Sequence, residues 1–182
     1  LYQGEELGLP QAHVPFERLR DPAAVANWPR TLGRDGARTP MPWLGDAPHA
    51  GFSGVEPWLP VDPRHQVLAV DRQHGNPDSV LEATREVLQL RREHPVLRTG
   101  SMHFVDAPAT VLAYVREAVA RPANGARRVL CAFNLGATPA AFAVDGAWRA
   151  VAGSLPIGRA LLARVELPRD GYVLAVPDQE IE

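Results

Sequence analysis

The sequence contains no lysine; all 19 of its cationic side chains are arginine. That excludes a lysine Schiff base and a P-loop lysine. A single cysteine, Cys131, leaves no partner for a disulfide within the chain, and it reads as a small buried hydrophobe. There is no Cys-x-x-Cys pair, and the six histidines fall at no ligand spacing, so no metal centre and no cofactor are expected. Ser53, Ser79, Ser101 and Ser154 all lack a Gly-x-Ser-x-Gly setting, which removes the serine-hydrolase reading. No apolar run approaches the roughly 20 residues that span a bilayer. The net charge of -2, with scattered arginines, offers no basic groove or stripe. Neither nucleic acid nor a membrane is therefore expected as a partner, and a cytoplasmic location is expected.

What is present changes character twice along the 182 residues. From Gly8 to Asn76 the chain is rich in Pro, Gly, Trp and Asp and has little periodicity. Loops this long are usually functional or disordered. Phe16, Trp28, Trp43, Phe52 and Trp58 are too many large apolar groups for a solvated tail, so loops draped over a scaffold are expected, with these rings as anchors. "DSVLEATREVLQLRREHP" then reads as a helix. Ser79 and Glu82 have capping-box spacing, Val80, Leu81, Thr84, Val87 and Leu88 share a face, and Pro95 stops it. From Thr99 onward, seven short apolar runs alternate with turn signals at Pro108, Asn124-Gly125, Asp145-Gly146 and Asp170-Gly171, which predicts an antiparallel β-sandwich.

Candidate chemistry concentrates in "GRDGARTPMPW", Gly33 to Trp43. The run has neither strand alternation nor a helical face. Arg34 and Arg38 offer planar forks of donors suited to vicinal hydroxyls or carboxylates. Gly36 and Ala37 permit close approach of backbone to a ligand or a neighbour. The plainer alternative is an Arg-Asp pair through Asp35 that holds a loop, and spacing alone leaves both open. Glu5 and Glu6 are adjacent, so in an extended segment they point apart and make a poor acid/base pair. Stacking on sugar faces is a second use for the tryptophans, with packing under loops the commoner one.

The segments "LYQGEELGLP", "PFERLRDP", "NWPRTLGRDGARTPMPW" and "AGFSGVEPWLPV", in this order, resemble the C-terminal third of bacterial α-glucosidases. These are the oligo-1,6-glucosidase-like branch of glycoside hydrolase family 13, in the α-amylase superfamily. The likeness continues through "PDSVLEATREVLQLRREHPVLRTG" to "VLCAFNLG". It implies a (β/α)8 barrel remnant over residues 1–98: the end of strand 8 at Leu1 to Gly4, a long loop from Gly8 to Asn76, and helix 8 from Ser79 to His94. An all-β antiparallel C-terminal sandwich would follow over 99–182. Active sites of such barrels lie at the C-terminal ends of the strands.

By the same resemblance the parent is an exo-acting enzyme that retains anomeric configuration. Its aspartate nucleophile, glutamate acid/base and supporting aspartate come from the fourth, fifth and seventh strands, so no catalytic residue is expected in this chain. Arg38 matches the arginine that hydrogen-bonds the terminal glucose, and Arg34 and Glu17 match other loop positions of the substrate site. Asp21-Pro22-Ala23-Ala24 departs from the family pattern. The implied partners are an α-glucoside or short oligosaccharide and the missing N-terminal barrel. The alternative is a non-catalytic structural or carbohydrate-contacting β-sandwich module.

Overall fold

In a computed structural model, residues 1–120 and 122–178 are described. Packing divides the chain into two units, Leu1–Glu86 and Val87–Glu182.

The first unit is built from short helical turns joined by loops. Helices α1 (Pro22–Asn27), α2 (Pro63–Gln66) and α3 (Val70–Gln73) are each one or two turns, and 3-10 turns lie at Glu5–Leu7, Phe16–Arg18, Asp35–Ala37 and Pro48–Gly51. Helices α1 and α2 start the same way. An aspartate, Asp21 or Asp62, caps the amide two residues on, at 3.1 Å and 2.9 Å, and proline occupies the first helical position. Proline is suited to that place because its missing N–H would have no helical partner. Leu1 to Gly4, expected to end a strand, forms no ladder and runs into a turn. A strand needs a neighbour to take its backbone bonds, and the described residues offer it none.

Helix α4 (Val80–Glu93) forms where the periodicity places it. Ser79 caps it, its hydroxyl accepting the Glu82 amide at 3.2 Å. The reciprocal half of the box is not made, because the Glu82 carboxylate takes the Gly75 amide at 2.8 Å and Arg85 at 2.6 Å instead. Leu81 is buried, but Val80, Val87 and Leu88 from the predicted apolar face are exposed. A short helix α5 (Val96–Thr99) follows Pro95.

The second unit is a six-stranded antiparallel sheet: β1 (Ser101–Phe104), β2 (Val111–Glu117), β3 (Arg128–Asn134), β4 (Ala140–Gly153), β5 (Ala160–Leu167) and β6 (Tyr172–Pro177). The order is β1-β2-β3-β6-β4-β5, so the last strand inserts between β3 and β4. The strands expected to form a sandwich therefore all belong to one six-stranded sheet. Asp145-Gly146, expected as a turn between two strands, is an irregularity inside β4: Ala143 pairs with Arg164 and Ala147 with Leu162. Both flanks of β4 keep the same neighbour, β5, which a hairpin turn would forbid.

Alternation sets the two faces of this sheet. Leu130 and Ala132 of β3 join Val115, Phe142, Val165 and Val173 in the larger core. Val129 and Cys131 face the other way, onto Leu90 of α4, Val96, Leu174 and Val176. Asn134 is the polar hub. Its amide donates to the Thr138 and Pro168 carbonyls, both at 2.8 Å, and its oxygen accepts the Gly136 amide at 3.0 Å.

Candidate functional site

Gly33 to Trp43 is held in place by buried carboxylates. Asp35 is fully buried and accepts the backbone amides of Arg20 at 2.6 Å and Asp21 at 2.8 Å. Its other oxygen takes the guanidinium of Arg38. Burial alone would raise the Asp35 carboxyl, but those two amides and Arg38 outweigh it and hold the group below the ordinary carboxylate range. Asp21 is equally enclosed and grips Arg34 from two sides, with Nε at 3.1 Å and Nη2 at 3.2 Å, while also accepting the Arg34 amide at 2.9 Å. The Arg34 guanidinium, then its amide, hold Asp21 well below the usual range.

The glycines fit tightly. A Cβ on Gly36 would lie 2.5 Å from the Ala12 carbonyl, and one on Gly33, at φ 59°, would lie 2.6 Å from Ala24 Cβ. Close approach here is to a neighbouring segment: Ala12 donates to the Gly36 carbonyl at 2.9 Å. The far end of the run is tied through backbone as well, Trp43 donating to Ala50 at 2.9 Å and Val70 to Pro42 at 2.9 Å.

The three predicted substrate residues occupy different places. Arg34 lines a cleft of about 480 Å³ with Tyr2, Gln3, Glu5, Thr39 and His65. Arg38 does not line that cleft. Its guanidinium lies 5.6 Å from the ring centroid of Trp58, close enough for a cation-π contact. The Arg38 side chain is 32% exposed, yet its Nε–H is buried and finds no acceptor among the described residues. Glu17 sits exposed on the turn Phe16–Arg18 and shares no hydrogen bond with either arginine. Its neighbour Arg18 pairs with Glu56 at 2.7 Å.

Glu5 and Glu6, part of a 3-10 turn, accept the amides of Tyr2 at 2.8 Å and Gly4 at 2.9 Å. That is turn chemistry rather than an acid/base pair. The aromatic rings expected as anchors are not enclosed: Phe16, Trp28, Trp43, Phe52 and Trp58 are all exposed. The loops are held instead by polar groups that the sequence pattern did not single out. Buried His65 donates from Nε2 to the Pro10 carbonyl at 2.7 Å, leaving Nδ1 to face the Thr39 hydroxyl at 3.4 Å. Asp62 binds Arg64 at 2.7 Å and the His13 amide at 3.1 Å. Gln73 donates to the Leu7 and Leu68 carbonyls at 2.9 Å and 2.7 Å and accepts the Leu81 amide at 3.0 Å. The two Asp-Pro dipeptides were the readable signal for Asp21 and Asp62; no local signal marks His65 or Gln73.

Cys131 is buried, and that burial pushes its thiol up to about 11, so it has no thiolate character near neutral pH. Among the described residues no group of three or more His, Cys, Asp or Glu side chains could hold a metal ion, and no helix is long and apolar enough to cross a membrane.

Comparison with known proteins agrees with the sequence resemblance. The chain is 41% identical over 135 residues to a probable α-glucosidase of Rhizobium meliloti (strain 1021), covering 74% of this chain and 23% of that protein. It superposes on the crystal structure of an α-glucosyl transfer enzyme, XgtA, with a TM-score of 0.81 and 42% identity, covering 97% of this chain and 32% of the other. The trehalulose synthase MutB from Pseudomonas mesoacidophila MX-45 gives a TM-score of 0.79 at 28% identity, covering 97% and 35%. The chain thus spans only a quarter to a third of the length of these proteins. The family described as alpha amylase, catalytic domain, matches residues 1–100. By that match over more than half of its length, the chain belongs to the α-amylase catalytic-domain family, on its α-glucosidase-like side.

Proposed function

We propose that the chain is the C-terminal part of an exo-acting, retaining α-glucosidase. The whole enzyme would hydrolyse terminal α-linked glucose from short oligosaccharides, with transglucosylation as an accompanying outcome, in the cytoplasm. Residues 1–98 would close its (β/α)8 barrel and 99–182 would form its C-terminal domain. The chain alone is inactive in this reading, since the catalytic carboxylates belong to strands elsewhere in the barrel. The observation that carries the proposal is the likeness to an α-glucosyl transfer enzyme over 97% of the chain at 42% identity. The exposed Trp43, Phe52 and Trp58, and the outward Val80, Val87 and Leu88, are apolar surface that the rest of a barrel would cover. The family match to a catalytic domain speaks against a free-standing binding module.

Arg38 is the foremost substrate residue in this reading, and Arg34 and Glu17 are the secondary ones. One arm of the Arg38 fork is fixed by Asp35, and its Nε–H still lacks an acceptor. That pairing orients the exposed part of the guanidinium, which is left to meet a sugar hydroxyl at small entropic cost. A guanidinium devoted to ligand alone could be removed with little effect on stability. The Asp35 pair removes that simple separation, because Arg38→Ala also uncovers a buried carboxylate.

Arg38→Lys supplies the discriminating variant in the full-length enzyme. Lysine keeps a charge opposite Asp35 but cannot reproduce the planar fork. Arg38→Ala is expected to cost about 2–4 kcal/mol in kcat/KM on a chromogenic α-glucoside, and Arg38→Lys nearly as much, with Tm close to the parent's for lysine. Recovery of both activity and Tm by Arg38→Lys would assign the residue to loop structure instead.

A further inference from the structure

Asn124-Gly125, expected as a turn, lies in the connection between β2 and β3, and both residues are exposed. The chain has four asparagines, and their surroundings set this one apart. Asn134 is buried with both ends of its amide bonded, and the next backbone N–H, of Leu135, is given to the Thr110 carbonyl at 2.8 Å. Asn76 precedes Pro77, which has no N–H. Asn27 donates to the Ala23 carbonyl at 2.8 Å and precedes the bulky Trp28. The Asn124 side chain makes no hydrogen bond among the described residues, and neither does the Gly125 N–H. With no side chain on Gly125, nothing shields that nitrogen from the Asn124 carboxamide.

The loop is also latched to the end of α4. Gly125 sits at φ 74°, and a Cβ there would lie 2.3 Å from the Glu93 carbonyl oxygen and 3.1 Å from His94 Cα. The next residue, Ala126, is buried and donates its amide to His94 Nδ1 at 3.0 Å. Gly125 thus has no room to move towards the helix.

We infer that Asn124 is a self-modifying site, whose conversion to isoaspartate releases this latch. The Gly125 nitrogen, its proton taken by hydroxide, attacks Asn124 Cγ. The new N–Cγ bond closes a five-membered imide as the Cγ–Nδ2 bond breaks, and ammonia leaves. Water then opens the imide. Cleavage at Cγ gives aspartate, and cleavage at the backbone carbonyl routes the main chain through the side chain and gives isoaspartate. One water is consumed, one ammonia is released, and nothing is oxidised or reduced. Isoaspartate adds one atom to the backbone just before Gly125. With Glu93 and His94 against it, the loop absorbs the extra length only by lifting away, which breaks the Ala126–His94 bond. None of Arg34, Arg38 or Glu17 is involved, so this inference and the α-glucosidase reading fail separately.

The test is incubation of the 182-residue chain in mildly alkaline and mildly acidic buffer at physiological temperature, followed by tryptic mass mapping. Residues 117–127 and 21–30 fall in separate peptides that carry Asn124 and Asn27 as their only asparagines. The first should gain mass at least about tenfold faster than the second, a single decade in rate, and faster in alkali than in acid. Hydrogen exchange on the separated isoaspartate form should show the Ala126 amide unprotected. Freshly purified Asn124→Asp, which adds the charge without lengthening the backbone, should keep that protection. Equal rates for Asn124 and Asn27, a rate indifferent to pH, a protected Ala126 in the isoaspartate form, or its loss in Asn124→Asp would each overturn the proposal.

Discussion

In Leu1–Glu86 the buried polar side chains include Asp21, Asp35, Asp62, His65 and Gln73. In Val87–Glu182 the buried side chains are almost all apolar, and Asn134 is the one buried polar residue among those described. The contrast follows from where backbone groups find partners. A sheet satisfies its amides and carbonyls through its own ladders, so its side chains are free to be aliphatic. A unit made of one-turn helices and loops has no ladder, and its amides must be met by side chains. Asp35 meets two of them, Asp21 two and Asp62 two. One unit is thus held by a large hydrophobic interior, while the other combines a small apolar cluster of Val14, Leu19, Ala24 and Leu59 with buried carboxylates, each with an arginine beside it.

The largest effect is expected where the apolar unit is cut. Leu130 is fully buried at the centre of the larger core. Leu130→Ala should cost about 2–5 kcal/mol in urea unfolding of this unit, since the cavity adds to the lost transfer energy. A cost under 1 kcal/mol, as expected for a surface site, would mean that the sheet's interior does not carry its stability.

Acid should separate the two units. Asp21, Asp35 and Asp62 are all held below the ordinary carboxylate range when folded, so each binds a proton more readily when unfolded. Their contribution is complete above the unfolded carboxylate range, near pH 4, and is lost as pH falls towards the depressed folded values. Hydrogen exchange between pH 5 and pH 2 should therefore show the amides of Arg20, Asp21 and Arg34 losing protection while those of β3 and β6 keep it. Asp35→Ala should expose the first two at neutral pH as well. Simultaneous loss in both units would erase the distinction.

The smallest effect belongs to His94. Its Nδ1 accepts the Ala126 amide at 3.0 Å, and burial lowers the imidazole below its ordinary value. The folded state holds the ring neutral while the unfolded chain takes up a proton more easily. Stability from this contact is full above about pH 6.5 and declines as pH falls below it towards the lowered folded value. A drop in Tm between pH 7 and pH 5, absent in His94→Asn, is the expected outcome. Identical slopes in the two proteins would remove His94 from the account.

Much of the architecture was legible along the chain because it rests on local rules. The period of α4, its Ser79 cap and its stop at Pro95, and the apolar alternation of the β runs, are set by residues within a few positions of one another. The ordered motifs from "LYQGEELGLP" to "AGFSGVEPWLPV" were enough to place the chain beside the α-glucosidases, as the family match to residues 1–100 and the α-glucosidase relative bear out. The rest needed three dimensions. Asp145-Gly146 has turn chemistry, and only the pairing of β4 with β5 on both sides makes it a bulge. The partners of Arg34 and Arg38 were equally open in the sequence. Asp21 lies thirteen residues from Arg34, and Asp35 three from Arg38, yet both carboxylates are buried by the same folding of the loop. Gln73 binds Leu7 across 66 residues, a contact that no local pattern encodes. Propensity and periodicity act over one or two turns of chain. Which carboxylate meets which guanidinium, and which amides a buried side chain must satisfy, is decided when distant segments exclude water together.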